Sequence, residues 1–103
     1  MRVDKKTLIK FCEKHSEEEF FVPKNELIYT LWKPGEIEKL NLAYKTEEFI
    51  PGFIGFGTDG GDELLSVNLK DGKVYSVPFI PMEIKEAVEI ARDVNEFLTF
   101  RKK

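Results

Sequence analysis

The feature that most constrains the fold is a glycine-rich stretch, Phe49 to Phe79, in which short apolar runs alternate with turn residues. The turn at Thr58–Asp62 contains a Gly-Gly pair, and either Gly60 or Gly61 is expected to need a positive φ. A second turn carries Asp71-Gly72, and Asp-Gly between alternating apolar runs is typical of a hairpin closed by a type I′ turn. The stretch therefore predicts an antiparallel meander of three half-buried strands: Phe53–Gly57, Glu63–Leu69 and Lys73–Val77.

Helical periodicity lies on both sides of this meander. Apolar residues at helical spacing predict three helices, near residues 5–14, 35–46 and 82–101. Asp4 suits the N-cap of the first helix, and Pro34 suits the first position of the second. The charges of the last segment, acidic at its start and basic at its end, also complement a helix dipole.

The remaining segments complete the fold class. Glu26–Trp32 is rich in aromatic and β-branched residues, so it predicts one further strand. Phe20–Val22 precedes Pro23, which disfavours helix and predicts an extended connection. With 103 residues, the chain is expected to form one domain, residues 1–103, of the α+β class. Its antiparallel sheet of four to five strands packs against N-terminal, middle and C-terminal helices.

Composition excludes several classes of protein. The formal net charge of −3 argues against a nucleic-acid binder, which usually shows a basic face. Apolar runs fall well short of the roughly 20 residues of a membrane span, and the charged N-terminus is unlike a secretory signal. One cysteine, Cys12, cannot form an internal disulfide. We therefore expect a cytoplasmic protein without a membrane segment, and the oligomeric state stays open.

Gly55, Gly57 and Gly60 match the pattern G-x-G-x-x-G. A dinucleotide site of this type needs a helix N-terminus after the glycines, because the helix end binds the pyrophosphate. A predicted strand, Glu63–Leu69, follows here instead. The glycines, together with Gly61, Asp71 and Gly72, are therefore interpreted as structural turn or close-approach positions, and no cofactor is expected.

Acidic residues form the candidate contact sites. Asp59, Asp62 and Glu63 cluster at the first turn, where three acids can hold a cation such as calcium but more commonly form a solvated loop. Loops of this kind also serve as contact surfaces. The run Glu17, Glu18 and Glu19 is a second candidate contact patch. We therefore predict that these six acids contact a partner.

Cys12 and His15 are three residues apart on the first predicted helix, a spacing at which they can share a metal ion. A structural zinc site needs four ligands, and the sequence has no second Cys/His pair. Both residues also fit the apolar stripe of the helix. We interpret them as buried core residues, with neither a metal-binding nor a catalytic role.

The order of these landmarks resembles the SUKH superfamily, named partly for a yeast cell-wall assembly regulator. The resemblance covers roughly residues 26–100 and rests on order and spacing. Before the first strand this chain has Phe21-Val22-Pro23 and Asn25-Glu26, where family members usually carry Leu-Pro and Asn-Gly signatures. The matching parts are Leu31–Ile37, Asn41, Tyr44, Phe49–Phe53, Gly55–Glu63, Asp71-Gly72, Val74-Tyr75, the proline-flanked exit at 78–81 and Phe97-Leu98.

The resemblance implies a protein-binding domain without enzymatic activity. Many bacterial members resemble immunity proteins, which bind and neutralise a toxin, often a nuclease or a nucleic-acid deaminase. The expected partner is then a toxin domain with a basic surface. Two alternatives stay open: a housekeeping adaptor with a host partner, and a small-ligand or metal-binding domain that uses the Gly55–Glu63 loop.

Overall fold

The computed structural model describes residues 4–102, which form one α+β domain with a single antiparallel sheet. The strand order in space follows the order in sequence, so the sheet is a pure meander that curls toward a barrel. Over this range the strands are β1 (Glu19–Val22), β2 (Leu27–Leu31), β3 (Phe53–Thr58), β4 (Glu63–Asn68), β5 (Val74–Pro78) and β6 (Val88–Ala91). The α-helices are α1 (Lys5–His15), α2 (Pro34–Tyr44), α3 (Thr46–Phe49) and α4 (Val94–Leu98).

The first predicted helix is confirmed as α1. The Asp4 side chain caps it, because its carboxylate accepts the main-chain N–H of Thr7 at 2.8 Å. Leu8, Cys12 and His15 are its buried residues, as the apolar stripe predicted. The helix therefore packs one face against the sheet and leaves its lysines in solvent.

The middle helix ends earlier than predicted. Lys45 adopts a left-handed conformation with φ 58°, which closes α2 and separates it from the short α3. Asn41 fixes α2 to the sheet: its Oδ1 accepts the N–H of Gly55 at 2.8 Å, and its Nδ2 donates to the Gly55 carbonyl at 2.9 Å. These two hydrogen bonds lie beside the irregularity of β3 between Gly55 and Gly57, where the register with β4 shifts. At such an irregularity a main-chain group is left without a partner in the neighbouring strand.

The three strands of the central meander pair as predicted, but the expectation that they are half-buried is wrong, because Leu64 to Val67 of β4 are all buried and so both of its faces are covered. One turn type is also wrong. At the first turn Gly60 has φ 84°. At the second turn only Gly72, with φ 75°, has the positive φ that a type I′ turn requires at both central residues. The loop is longer than two residues, because the Asn68 and Asp71 side chains accept the main-chain N–H groups of Lys70 and Lys73, each at 2.8 Å.

The sheet has more strands than the predicted four to five. Glu19–Val22 forms β1, which pairs with β2 in register Glu19 to Thr30 and Val22 to Leu27. Its four residues alternate between exposed and buried. In the sequence, four alternating residues cannot be distinguished from an extended connection. The segment is a strand because it pairs with β2.

The predicted C-terminal helix over 82–101 is wrong. That segment contains a 3-10 turn (Ile84–Glu86), β6 and α4, which Asp93 caps by accepting the N–H of Glu96. Its apolar spacing suited a helix, but a short run of this kind also suits a strand. Pairing Val88–Ala91 with β5 satisfies main-chain groups that a helix would have left at an open sheet edge.

The chain end then returns to the first strand. The main-chain N–H of Phe21 donates to the carbonyl of Phe100 at 2.9 Å, and the N–H of Lys102 donates to that of Glu19 at 2.8 Å. Opposite, Lys24 Nζ donates to the Glu89 carbonyl on β6 at 2.7 Å. The edge of β1 is therefore covered, which protects it from pairing with another chain, while Lys24 bonds one carbonyl of β6.

Candidate functional site

Asp59 holds the acidic turn together from within. Its Oδ1 accepts the main-chain N–H of Gly61 at 2.8 Å and of Glu63 at 3.1 Å. Thr58 Oγ1 similarly accepts the N–H of Gly60 at 3.1 Å. These bonds are the ordinary way in which an Asx residue stabilises a turn. Asp59 therefore has a structural role in the turn for which the sequence predicted partner contact.

Glu63 points inward and terminates a hydrogen-bonded chain. Ser76 Oγ donates to Glu63 Oε1 at 2.8 Å, and the Tyr29 hydroxyl lies 2.6 Å from Ser76 Oγ. The hydroxyl of Ser76 has one proton, so Tyr29 is the donor to Ser76, and Asn25 Nδ2 in turn donates to Tyr29 at 2.9 Å. Burial raises the pKa of Tyr29, and the charges of Glu63 and Asp59 add to this effect. Glu63 thus stabilises the interior of the domain.

Asp62 is the exposed carboxylate of the three, and its main chain links two loops. Its carbonyl accepts the N–H of Phe79 at 2.8 Å. This bond places the segment after β5 beside the acidic turn. Sequence reasoning located the turn but gave no reason to join these two loops.

An apolar hollow lies next to Asp62. Ile80 is 91% exposed, and Phe49, from α3, is 51% exposed. The ring of Phe79 packs on Tyr44 with centroids 4.8 Å apart, and Tyr44 stacks on Trp32 at 6.2 Å. The hollow has a volume of about 350 Å³ and is lined by Phe49, Phe79, Ile80, Pro81, Met82 and Glu83.

One exposed acid lines this hollow, and two more are connected to its lining residues through the main chain; the three are here termed the acidic rim. Glu48 directly precedes Phe49, Asp62 is bonded to Phe79, and Glu83 is part of the lining. The acidic turn recognised in the sequence is therefore connected to an apolar surface to which α3 also contributes. Sequence analysis missed the hollow itself, although Phe79-Ile80 between two prolines was the available signal.

The run Glu17–Glu19 lies elsewhere and has bonded partners. Glu18 Oε2 is 2.6 Å from His15 Nδ1, and its Oε1 accepts from Arg101 Nη1 at 3.3 Å. Glu19 forms an ion pair of 3.5 Å with Lys102. Since Arg101 and Lys102 belong to the segment that covers β1, two of the three acids help to hold the chain end against the sheet.

A second hollow of about 260 Å³ lies between α1, α2 and β3. Lys5 and Glu38 form an ion pair of 3.4 Å across it. Its inward polar side chains are Asn41 and Thr46, which bond each other at 2.7 Å. The internal hydrogen bonds of these two residues favour a structural role for this region.

Two glycines of the G-x-G-x-x-G pattern, Gly55 and Gly57, serve close packing within β3, whereas Gly60 lies in the following turn with a positive φ. A Cβ on Gly55 would lie 2.7 Å from Leu64 Cδ1 and 3.2 Å from the Trp32 ring. A Cβ on Gly57 would fall against the main-chain oxygen of Thr30, inside van der Waals contact. After the glycines the chain continues into β4, and no helix begins there. The arrangement lacks the helix N-terminus that a dinucleotide site needs.

Cys12 and His15 are both buried, and each has its own contact. Cys12 Sγ lies 3.8 Å from the carbonyl of Phe56, whereas His15 Nδ1 bonds to Glu18. Burial raises the pKa of the Cys12 thiol to about 12. Within residues 4–102 there is no group of three or more His, Cys, Asp and Glu side chains that could hold a metal ion.

The raised pKa of Cys12 predicts a loss of stability in alkali. The thiol of an unfolded chain titrates near pH 8.5. The unfolded state therefore loses this proton first, and the stabilisation from the neutral buried thiol declines as the pH rises from there toward about 12. Between about pH 9 and pH 10, the free energy of unfolding of the parent should fall by about 1 kcal/mol more than that of Cys12→Ala. Denaturant titrations at both pH values measure this difference, and parallel curves would contradict it.

Comparisons with known proteins give no match: none of the protein-family models searched fits the chain, and no curated protein is significantly similar to it. Among the helices of residues 4–102, none has both the length and the apolar character needed to cross a membrane.

Proposed function

We propose that this chain is a non-enzymatic binding domain of the SUKH type that neutralises a bacterial toxin by stoichiometric association. The expected toxin is a nuclease or nucleic-acid deaminase with a basic surface. The proposal needs an exposed face that combines negative charge with apolar contact area. Such a face is what an inhibitor presents to a cationic cleft.

The observation that carries the proposal is the meeting of the acidic rim with the apolar hollow. Glu48, Asp62 and Glu83 are exposed, and Ile80 stands out beside them. Negative charge at a rim steers the encounter with a basic partner, whereas apolar groups at the centre supply most of the affinity. Both contributions are available on one side of the domain.

The residues of the family resemblance offer further support, because several of them build this face. Tyr44 packs on the ring of Phe79, which lines the hollow, and it also stacks on Trp32. Phe49 opens the segment Phe49–Phe53 and lines the hollow. Several landmarks that suggested the family thus line this apolar surface or pack against its lining.

The test begins with a pull-down of the tagged chain from its native cells, followed by coexpression of the captured protein in a growth assay. We expect a near-stoichiometric partner that carries a toxin domain, and rescue of growth by this chain. The triple variant Glu48→Gln/Asp62→Asn/Glu83→Gln should lower the association rate about tenfold at low salt, with a smaller effect at high salt.

A matched variant removes the same amount of charge from exposed acids outside the acidic rim and outside the run Glu17–Glu19: Glu13→Gln/Glu26→Gln/Glu38→Gln. It should associate at a rate close to that of the parent. A captured host protein without toxic activity would overturn the immunity function in favour of an adaptor. A rate that falls only in the matched variant would show that the acidic rim is not the contact face.

A further inference from the structure

The exposed apolar groups around the hollow belong to different elements. Tyr44, which ends α2, is 43% exposed, and Phe49, which ends α3, is 51% exposed. Ile80 follows β5, and Ile84, 50% exposed, begins the 3-10 turn. Contiguous apolar surface rimmed by polar residues is typical of an interaction site, whereas isolated exposed apolar residues are not.

This surface is held in shape by the domain itself. Phe79 is fixed through its main-chain bond to Asp62 and its ring contact with Tyr44. Met82 is 92% buried, since only 8% of it is exposed, and it anchors the far end of the segment. Pro78 and Pro81 restrict φ on either side of Phe79-Ile80. A loop ordered in advance loses little conformational entropy on binding, which favours affinity.

The size of the hollow limits what it can take. Its volume of about 350 Å³ lies near the lower end of the roughly 300–1,000 Å³ of small-molecule sites. Apart from Glu83 its lining is apolar, so it offers few polar groups with which to orient a small ligand. An apolar or aromatic side chain presented by another protein suits both its volume and its lining.

The charges around the hollow select among partners. Glu83 lines the hollow and its carboxylate lies 4.0 Å from Lys85 Nζ, while Glu48 and Asp62 are exposed acids connected through the main chain to the lining residues Phe49 and Phe79. Negative charge there repels nucleic acid and anionic lipid. It also opposes a symmetric contact with a second copy, because the same acids would then face each other. A cationic segment is the complementary partner.

We infer that the hollow takes one apolar or aromatic side chain from a partner segment in which lysines or arginines flank that side chain, with Ile80 packed against it. The inference rests on the proposed binding function and names the chemistry that this site recognises. The flanking cations meet Glu48, Asp62 and Glu83, while the central side chain lies between Phe49 and Phe79. Recognition therefore depends on charge and apolar contact together.

The test uses a capped synthetic peptide, Lys-Lys-Trp-Lys-Lys, titrated into the isotope-labelled full chain and followed by NMR chemical shifts. Shift changes should map to Tyr44, Phe49 and Ile80. Replacing the central tryptophan of the peptide with alanine, or Ile80 with serine in the protein, should weaken binding at least about tenfold. Leu42→Ser is the matched protein control, because Leu42 is an apolar residue that is 75% exposed and lines the other hollow. It should bind the peptide as the parent does.

Equal binding of the alanine peptide would overturn the inference, since charge alone would then suffice. Shift changes confined to another face, or self-association of the chain through this face in the absence of peptide, would also overturn it. The proposed function is tested separately by growth rescue. Rescue without specific peptide binding refutes this recognition mode alone, and specific peptide binding without a toxin partner refutes the immunity function alone.

Discussion

Phe97→Ala is expected to lower the free energy of unfolding by about 4 kcal/mol, in the range found when a buried aromatic ring is removed and leaves a cavity. Phe97 is fully buried in the short helix α4. Its ring stacks on Phe20 of β1 with centroids 4.6 Å apart and meets Phe56 of β3 edge-on at 6.0 Å. The side chain therefore joins the first strand, the sheet interior and the segment that closes the sheet.

Chemical denaturation followed by circular dichroism measures this effect. Phe21→Ala is the matched control, because Phe21 lies in the same strand as Phe20 but is 40% exposed on the outer face. It should cost about 1–2 kcal/mol, as expected for a residue that folding only partly removes from water. Similar losses in the two variants would contradict the placement of α4 over β1.

Gly57→Ala is expected to destabilise the domain by about 3 kcal/mol, the upper end of the usual cost of overpacking. The added Cβ would meet the main-chain oxygen of Thr30, and it would lie 3.1 Å from Leu65 Cδ2. Backbone cannot rotate away as a flexible side chain does. β2 and β3 pair over few residues, Thr30 to Thr58 and Leu31 to Gly57, so a shift at Gly57 disturbs the junction of the N-terminal hairpin with the meander.

Gly35→Ala is the matched control for the added methyl group. Gly35 lies in the first turn of α2, and a Cβ there would meet nothing within 4 Å. Alanine should be neutral or stabilise the protein by up to about 1 kcal/mol, because it lowers the entropy of the unfolded chain. Thermal and denaturant unfolding report both variants. Equal stability of Gly57→Ala and the parent would show that β2 and β3 do not approach as described.

Where local pattern and tertiary pairing agree, the sequence was sufficient. The Asp4 cap and the apolar stripe of α1 are interactions between near neighbours, so they can be read from spacing. The same holds for β3, β4 and β5, in which two-residue alternation is separated by glycine-bearing turns. The turn at Asp71-Gly72 is not the type I′ turn that this dipeptide predicts. The Asn68 and Asp71 side chains bond nearby main-chain N–H groups and stabilise a longer loop.

The strand β6 shows why the C-terminal half failed. Val88 and Ala91 of this strand fit a helical stripe with Ile84 and Val94, and a single sequence cannot show that β5 has an unpaired edge beside them. The register Val74 to Ala91 and Ser76 to Val88 decided the structure. The same reason explains β1 at the N-terminal side of the sheet. There, antiparallel pairing with β2 makes a strand of a segment that the sequence predicted to be an extended connection.

The candidate site also has some features that the sequence predicted and others that only tertiary contacts determine. The acids at 59–63 were visible in the sequence, but the inward bond of Glu63 to Ser76 and the turn bonds of Asp59 were not. The hollow depends on Phe49, Tyr44 and Phe79 coming together from three separate segments. Its acidic rim depends on the contact between Asp62 and Phe79.

By itself the sequence determined the α+β class, the central meander and the first helix, because these depend on contacts among residues close in the chain. Only the tertiary structure determined that the two outer strands form, that the C-terminal segment is not one long helix, and which acids face solvent. These depend on partners as distant as Glu18 and Arg101, or Tyr29 and Ser76. Hydrogen bonding and burial between distant segments outweigh the small local preferences of a short run, so that part of the fold is settled only when the whole domain is packed.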